Sequence, residues 1–246
     1  MCPSGTSALS NFGKSFGILS SPYLFKNIDD VKNILYGEWG DELLATLDGT
    51  GFLGLGYGLL GFTNMSNNVR PIVKASDLEG LKIRCVANPL LLNSYKAIGA
   101  SPVAMSFNEL FSAMQQGVVD GQFNPMTTIL SSNFQEVQKY ISKTSDITSI
   151  VVFIVDEGAF TSLKPEYQRI IKDGIRIATD YMLESVVVEE AEAEKKLLAS
   201  GKVQINEVSD SVKKELFQKA YPAIEAYGNS INPELFSALK NELGLN

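Results

Sequence analysis

The chain has 246 residues and carries 21 Lys and Arg against 28 Asp and Glu, which gives a net charge of −7. At roughly 150 residues per domain, this length predicts one large domain or two small ones. The acidic balance disfavours nucleic acid and anionic membranes as partners, because both select a basic face. The absence of His excludes Ser-His-Asp triads, Cys-His pairs and His-dependent zinc and iron sites. Two cysteines, Cys2 and Cys85, are too few for a four-thiolate site, so we expect no metal.

Two stretches bear on export and on membranes. Residues 1–5 lack the basic start and the apolar run of a signal peptide. Residues 49–69 carry no charge, but they contain six glycines and end in a polar cluster from Thr63 to Asn68. A lipid-exposed helix would not end in that way, so we predict no membrane-spanning helix here.

The first half of the chain predicts an α/β arrangement. Residues 28–47 carry an apolar stripe that Gly37 and Gly40 interrupt, which indicates one helix or two. Residues 52–57 predict a short buried strand. Strand and helix signals then alternate three times, which is typical of parallel strands that place a ligand at their carboxyl ends. The strands are predicted over residues 81–86, 102–107 and 118–123, and the helices over residues 88–98, 106–117 and from Pro125 onward.

The second half predicts a long helix between strands. Residues 140–143 and 148–155 predict two strands, the second buried on both faces over residues 150–155. An uninterrupted 3.6-residue period over residues 165–199 predicts a helix about 50 Å long, which is enough to cross between two lobes. One more strand is predicted over residues 202–208. From residue 209 onward the pattern is helical, with breaks near Gly228 and Pro233.

Two motifs raise the alternative of a nucleotide- or dinucleotide-dependent enzyme. Residues 8–15 have the spacing of a phosphate-binding loop, but Ala8 stands where the strict motif requires Gly. The run from Gly49 to Gly61 contains two overlapping dinucleotide fingerprints. That fingerprint needs a helix directly after the glycines, whereas residues 62–67 are turn-like. We therefore favour backbone freedom at a strand end as the role of these glycines.

Arg84 and Asn124 are the candidate ligand-binding residues of the α/β region. Arg84 lies in an otherwise apolar strand and Asn124 follows another, so both lie near carboxyl ends of predicted parallel strands. The planar guanidinium of Arg can bind a carboxylate through two parallel hydrogen bonds. The alternatives are an internal salt bridge for Arg84 and a helix N-cap before Pro125 for Asn124.

Several segments together resemble the solute-binding proteins of TRAP transporters, a family that includes receptors for four-carbon dicarboxylates and sialic acid. The run from residue 99 to residue 125 is the most specific of them. The matching segments are residues 81–84 (LKIR), 99–111 (GASPVAMSFNELF), 115–125 (QQGVVDGQFNP), 8–12 (ALSNF), 22–25 (PYLF) and 54–57 (GLGY).

The resemblance implies a two-lobed α/β fold, like that of periplasmic binding proteins, which closes around an organic acid without catalysis or a cofactor. By position, Arg84 would clamp the carboxylate, Asn124 would hydrogen-bond the ligand and Phe107 would form a wall of the pocket. Many members carry a second Arg where this chain has Thr63. A hydroxyl cannot replace that charge, so we expect a monocarboxylate with a neutral or apolar tail.

The resemblance also implies a domain division, a location and partners. Lobe I would comprise residues 1–61 and 150–188, and lobe II residues 62–149 and 189–246. The chain begins inside the family's first lobe, so we expect lobe I to be incomplete, with exposed strand edges that favour a homodimer or an inactive fragment. The intact protein would be periplasmic or otherwise extracytoplasmic, and would deliver its organic acid to the TRAP membrane subunits.

Overall fold

Two β-sheets organise the computed structural model, which describes residues 1–245. The smaller sheet has three antiparallel strands, in the order β1-β8-β2, and the larger has six, in the order β5-β4-β6-β3-β7-β9. Within the described residues the strands are β1 (Cys2–Gly5), β2 (Phe52–Phe62), β3 (Asn64–Asn67), β4 (Lys82–Cys85), β5 (Ser101–Ala104), β6 (Gly121–Asn124), β7 (Tyr140–Lys143), β8 (Thr148–Asp156) and β9 (Gln204–Glu207).

Helices pack around both sheets. Short 3₁₀ segments lie at Lys14–Ser20, Ala75–Leu78 and Phe134–Glu136. The α-helices are α1 (Thr6–Leu9), α2 (Ile28–Leu35), α3 (Glu38–Ala45), α4 (Pro89–Ala97), α5 (Phe107–Gln115), α6 (Met126–Ser131), α7 (Glu157–Thr161), α8 (Pro165–Ala199), α9 (Asp210–Ile231) and α10 (Pro233–Leu243). No helix among residues 1–245 combines the length and the apolar character that crossing a bilayer requires.

The alternating region forms parallel strands, as its sequence pattern predicts. Strand β4 runs parallel to both β5 and β6, so the carboxyl ends of the three strands lie at one edge of the larger sheet. Strand β3 joins this sheet antiparallel to β6 and β7. The strand over residues 102–107 ends earlier than predicted, because a capping box starts α5: the Glu109 carboxylate accepts from both the backbone N–H and the hydroxyl of Ser106.

The glycine run forms a strand and not a nucleotide-binding loop. Strand β2 extends to Phe62, well beyond the predicted residues 52–57, and pairs along its length with β8. Register shifts near Gly56 and Gly61, both with positive φ, let the strand bend and continue. Strand β3 follows directly, so no helix N-terminus is available for a pyrophosphate. Helix α1 likewise occupies the start of residues 8–15 in place of a phosphate-binding loop.

Strand β8 is buried on one face only, so the predicted burial on both faces is wrong. Ile150, Val152 and Ile154 are buried, whereas the alternate residues are partly exposed. The reason is topological. An antiparallel strand presents successive side chains to opposite faces, and here only one face meets the main core.

The C-terminal helices have one of the two predicted breaks. Helix α9 runs unbroken through Gly228 and ends at Ile231, so the predicted break at Gly228 is wrong. A Cβ atom at Gly228 would lie 2.3 Å from the Phe236 ring. Glycine there allows α10 to lie directly against α9. The break falls at Asn232, whose side chain accepts from the Leu235 N–H before Pro233 starts α10.

Candidate functional site

A cavity of about 170 Å³ is lined by residues from both sheets. The smaller sheet and the turn after it contribute backbone and hydroxyl groups from residues 5–8 and 148–150, and the larger sheet contributes Arg84 and Asn124. The complete lining is Gly5, Thr6, Ser7, Ala8, Ser20, Thr63, Arg84, Val86, Leu91, Phe123, Asn124, Ile147, Thr148, Ser149 and Ile150. Arg84 is therefore the one charged side chain in this lining.

Arg84 is a buried guanidinium without a carboxylate partner. Its residue is 5% exposed, and its Nε donates a hydrogen bond to the Met105 carbonyl at 3.0 Å. Among residues 1–245, no Asp or Glu oxygen lies within 4 Å of it, so the alternative of an internal salt bridge is wrong. The Phe107 ring lies 5.8 Å from the Arg84 Cζ atom, which orients the guanidinium by a cation–π contact.

The electrostatics of Arg84 favour an anion in the cavity. Burial lowers the pKa of the guanidinium below its ordinary value, although Arg stays protonated at neutral pH. Within the described residues, only Nε has a hydrogen-bond acceptor, so the two terminal amino groups are unused. A carboxylate entering the cavity would supply both the acceptors and the countercharge.

Asn124 occupies the carboxyl end of β6 and lines the same cavity. Its Nδ2 donates to the side-chain oxygen of Gln122, which lies on the same face two residues earlier. Pro125, and not Asn124, stands at the N-cap of α6, so the alternative of a helix cap for Asn124 is wrong. Its side-chain oxygen has no donor among the described residues.

Thr63 lines the cavity, but its hydroxyl is already engaged. The hydroxyl donates to Asp146 Oδ1 at 2.8 Å and accepts from the Ile147 N–H at 3.1 Å. Thr63 therefore fixes the crossing from β2 to β3 beside the cavity, and brings no second positive charge to it.

Phe107 does not line the cavity, contrary to the expectation that it forms a wall. It is the first residue of α5, where it is largely exposed and packs beside the Phe134 ring. Its link to the site is the contact with Arg84 described above. Three of the four sequence-predicted residues thus converge on the cavity, and the fourth contacts the central one from outside.

Asp146 and its hydroxyl partners form a buried network that the sequence analysis missed. The carboxylate accepts hydrogen bonds from Thr63, Thr144 and Tyr95. Burial raises the pKa of Asp146, and these three hydroxyl donors partly offset that effect. In the sequence, Asp146 follows Thr144 and Ser145 between two strands, which is the pattern of a solvated turn.

The hydroxyl groups of the cavity wall were also missed. Ser7 and Ser20 lie within hydrogen-bond distance of each other at 2.7 Å, and Thr148 and Ser149 start β8 beside them. Isolated serines and threonines carry no recognisable spacing, so only the fold brings them together. No three acidic or Cys side chains within residues 1–245 are arranged to hold a metal ion.

Glu190 on α8 caps α6, two residues after Asn124. Its carboxylate accepts from the N–H groups of Met126 and Thr127 and from the Thr127 hydroxyl, at 2.7 to 2.9 Å. We expect Glu190→Ala to destabilise the fold by about 1–2 kcal/mol, since three donors lose their acceptor. Thermal unfolding should show this loss, and Glu189→Ala, an adjacent exposed carboxylate, should leave the unfolding temperature unchanged. Equal effects from both substitutions would contradict the capping role.

Comparisons with known proteins identify the fold. A solute-binding protein from Verminephrobacter eiseniae is 34% identical over 223 residues, which cover 91% of this chain and 65% of that protein. The 2,3-diketo-L-gulonate-binding periplasmic protein YiaO from Escherichia coli is 29% identical over 228 residues, covering 93% and 66% respectively. The chain therefore spans about two thirds of the length of these relatives.

A solved structure gives the same result. A TRAP periplasmic solute-binding protein from Polaromonas sp. JS666, bound to D-erythronate, is 32% identical with a TM-score of 0.90, covering 97% of this chain and 78% of that chain. The two-lobed α/β fold predicted from the sequence is confirmed by this agreement. The model of the bacterial extracellular solute-binding proteins, family 7, matches residues 1–230, and the chain belongs to that family, the DctP family.

Proposed function

We propose that this chain captures a small organic acid between its two sheets and delivers it to the membrane subunits of a TRAP transporter. The observation that carries this proposal is Arg84, a buried guanidinium that lines a cavity and whose terminal amino groups have no hydrogen-bond acceptor among residues 1–245. A buried charge without a counterion destabilises a fold, because the charge loses its hydration and gains no compensating partner. Stability of the free protein therefore does not account for Arg84. A carboxylate ligand supplies that partner.

The ligand we propose is a hydroxylated monocarboxylate. Arg84 is the single charge in the cavity lining, which matches one carboxylate and not two. The lining also includes Ser7, Ser20 and Ser149, whose hydroxyls suit a tail bearing hydroxyl groups. The cavity is smaller than the roughly 300 Å³ at which pockets for drug-sized ligands begin. D-erythronate and 2,3-diketo-L-gulonate, named for two similar proteins, have this chemistry.

We further propose that the chain is a receptor and not an enzyme, and that it acts in the periplasm or another extracytoplasmic space. The family consists of extracellular solute-binding proteins, and the relative YiaO is periplasmic. The cavity lining itself contains hydroxyls, one amide and one guanidinium, and the carboxylate of Asp146 is buried behind Thr63, where three hydroxyls already donate to it. Such a set binds and orients an acid but offers no general base to activate a nucleophile.

The domain division remains part of this proposal. Residues 1–61 and 150–188 would form lobe I around the smaller sheet, and residues 62–149 and 189–246 would form lobe II around the larger. The cavity lining, drawn from both sheets, supports closure of one lobe on the other. Helix α10 also contacts α2 and α3, so it would tie the second lobe to the first.

A thermal-shift comparison tests the proposal. The protein is scanned with D-erythronate, D-galactonate, succinate, NAD and ATP. A ligand at about a hundred times its Kd stabilises the fold by roughly 2.7 kcal/mol, which for this size is a shift of about 5–10 °C. We expect that shift with a hydroxylated monocarboxylate and little with succinate. A shift with NAD or ATP alone would favour the enzyme, and no shift with any compound would favour an inactive fragment.

A further inference from the structure

The long helix α8 carries a second apolar stripe that faces away from the protein. Its inner face, at Ile175, Thr179 and Val186, is buried, in line with the contact between α8 and β2. On the outer face, Ile170 is 62% exposed, Ile177 65%, Tyr181 64% and Val188 59%, and Tyr167 is exposed as well. A helix that covers a sheet needs one apolar face, and its other face is ordinarily polar. We therefore expect the outer stripe to contact another polypeptide.

The spacing of the outer stripe is that of a coiled-coil seam. Tyr167, Ile170, Ile177, Tyr181 and Val188 follow one another at intervals of three, seven, four and seven residues. These intervals place all five residues at the a and d positions of one heptad repeat. In a coiled coil, the residues at these positions form the contact with the neighbouring helix. The buried residues of α8 fall on the opposite side of the same frame. The stripe is thus a separate contact surface.

The stripe is complementary to itself when two copies lie antiparallel. With the two-fold axis near residue 179, Ile177 of one copy faces Tyr181 of the other, and Ile170 faces Val188. These are pairs of a with d positions, which antiparallel helices form. The exposed Gly174, which has open space where a Cβ atom would stand, faces Glu184 and leaves room for its longer side chain.

The charges along α8 favour the same direction. Residues 164–180 contain four cations and three carboxylates, whereas residues 184–196 contain five carboxylates and two lysines. Antiparallel pairing sets the basic half of each helix against the acidic half of the other, and it places Lys164, just before the helix start, beside Glu192, both at e positions that flank the seam. Parallel pairing would set the two acidic halves together. We propose that this chain forms a homodimer through the outer face of α8, paired antiparallel with the same helix of a second copy.

This surface differs from the sheet edges that the sequence analysis favoured for a homodimer. A strand edge offers backbone groups to any extended chain, whereas the α8 stripe selects a helix of matching period and charge. The surface also lies outside the cavity lining, because no residue of α8 lines the cavity that holds Arg84. Dimer formation and ligand binding are therefore separable in experiment.

Sedimentation velocity across a dilution series tests the proposal with the full chain. We expect a reversible dimer that Ile177→Glu weakens by about 30-fold or more, since a buried contact is replaced by a charge in both copies. Val118→Glu is the matched control, because Val118 is an exposed apolar residue away from α8. The control should dimerise like the parent chain, and circular dichroism should show equal folding of both variants.

A charge exchange tests the direction of the pairing. Lys164→Glu alone should weaken the dimer, and Lys164→Glu combined with Glu192→Lys should restore it. A parent chain that stays monomeric at every concentration would overturn the proposal, as would a dimer that persists in Ile177→Glu. Failure of the charge exchange to restore the dimer would overturn the antiparallel arrangement.

Discussion

Replacing Arg84 with Met is expected to remove ligand-dependent stabilisation while leaving the free protein at least as stable as before. In the part of the chain that the structure describes, the buried Arg84 guanidinium forms no ion pair, and Met fills a similar volume without the cost of burying a charge. The ligand loses the single charged side chain of the cavity lining, which costs about 2–5 kcal/mol, or roughly 30- to 5,000-fold in Kd. A ligand dose that gave about 2.7 kcal/mol of stabilisation would then give about 0.9 kcal/mol or less. Calorimetric titration and thermal unfolding measure the two effects separately.

Two further arginine variants make this result specific. Arg84→Lys keeps the charge but loses the planar fork, so its affinity should fall between those of the parent and Arg84→Met. Arg70→Met is a control with the opposite expected outcome. Arg70 donates to the carbonyls of Asp77 and Glu79 at 2.8 and 2.7 Å, and it lies outside the cavity lining. It should lower the unfolding temperature and preserve the ligand shift. Full affinity in Arg84→Met would remove the basis of the proposed function.

The parts of the fold that the sequence predicted well are those with local signals. Helix α8 begins and ends where its period predicts, because Pro165 stands at its first position and Gly201 follows its end with a positive φ. The parallel strands could be predicted because apolar strand signals alternate with helix signals. The capping pair Ser106 and Glu109 marks the start of one of those helices. Arg84 could be singled out because a charge inside an apolar strand needs a partner.

The parts that could not be predicted depend on contacts between distant segments. Strand β2 is longer than its composition suggests, because its pairing with β8 and the bulges at its glycines outweigh the low strand propensity of Gly. Gly228 was predicted to break a helix because of its residue type, whereas in the structure it makes room for the Phe236 ring of the neighbouring helix. The partners of Asp146 come from residues 63, 95 and 144, so no short motif contains the network.

Asp146→Ala is expected to be the most destabilising single substitution at the site. The carboxylate is fully buried and accepts from three hydroxyls, on Thr63, Thr144 and Tyr95. Removing it leaves these donors buried without an acceptor, which costs about 3–5 kcal/mol. For a chain of this size, the unfolding temperature should fall by about 10 °C. Asp146→Asn retains the shape and an acceptor oxygen, so it should cost less, and Asp48→Asn on the exposed surface should have little effect.

The pH dependence of the same network has a definite sign. Burial raises the pKa of Asp146 above its ordinary value of 3.8, so the folded protein binds this proton more tightly than the unfolded chain does. The resulting stabilisation is fully present below the unfolded pKa and is lost as pH rises through the folded pKa. The parent protein should therefore gain stability relative to Asp146→Asn as pH is lowered from neutral toward about 4. Denaturant unfolding of both proteins across this range measures the difference, and a difference that shrinks on acidification would contradict the raised pKa.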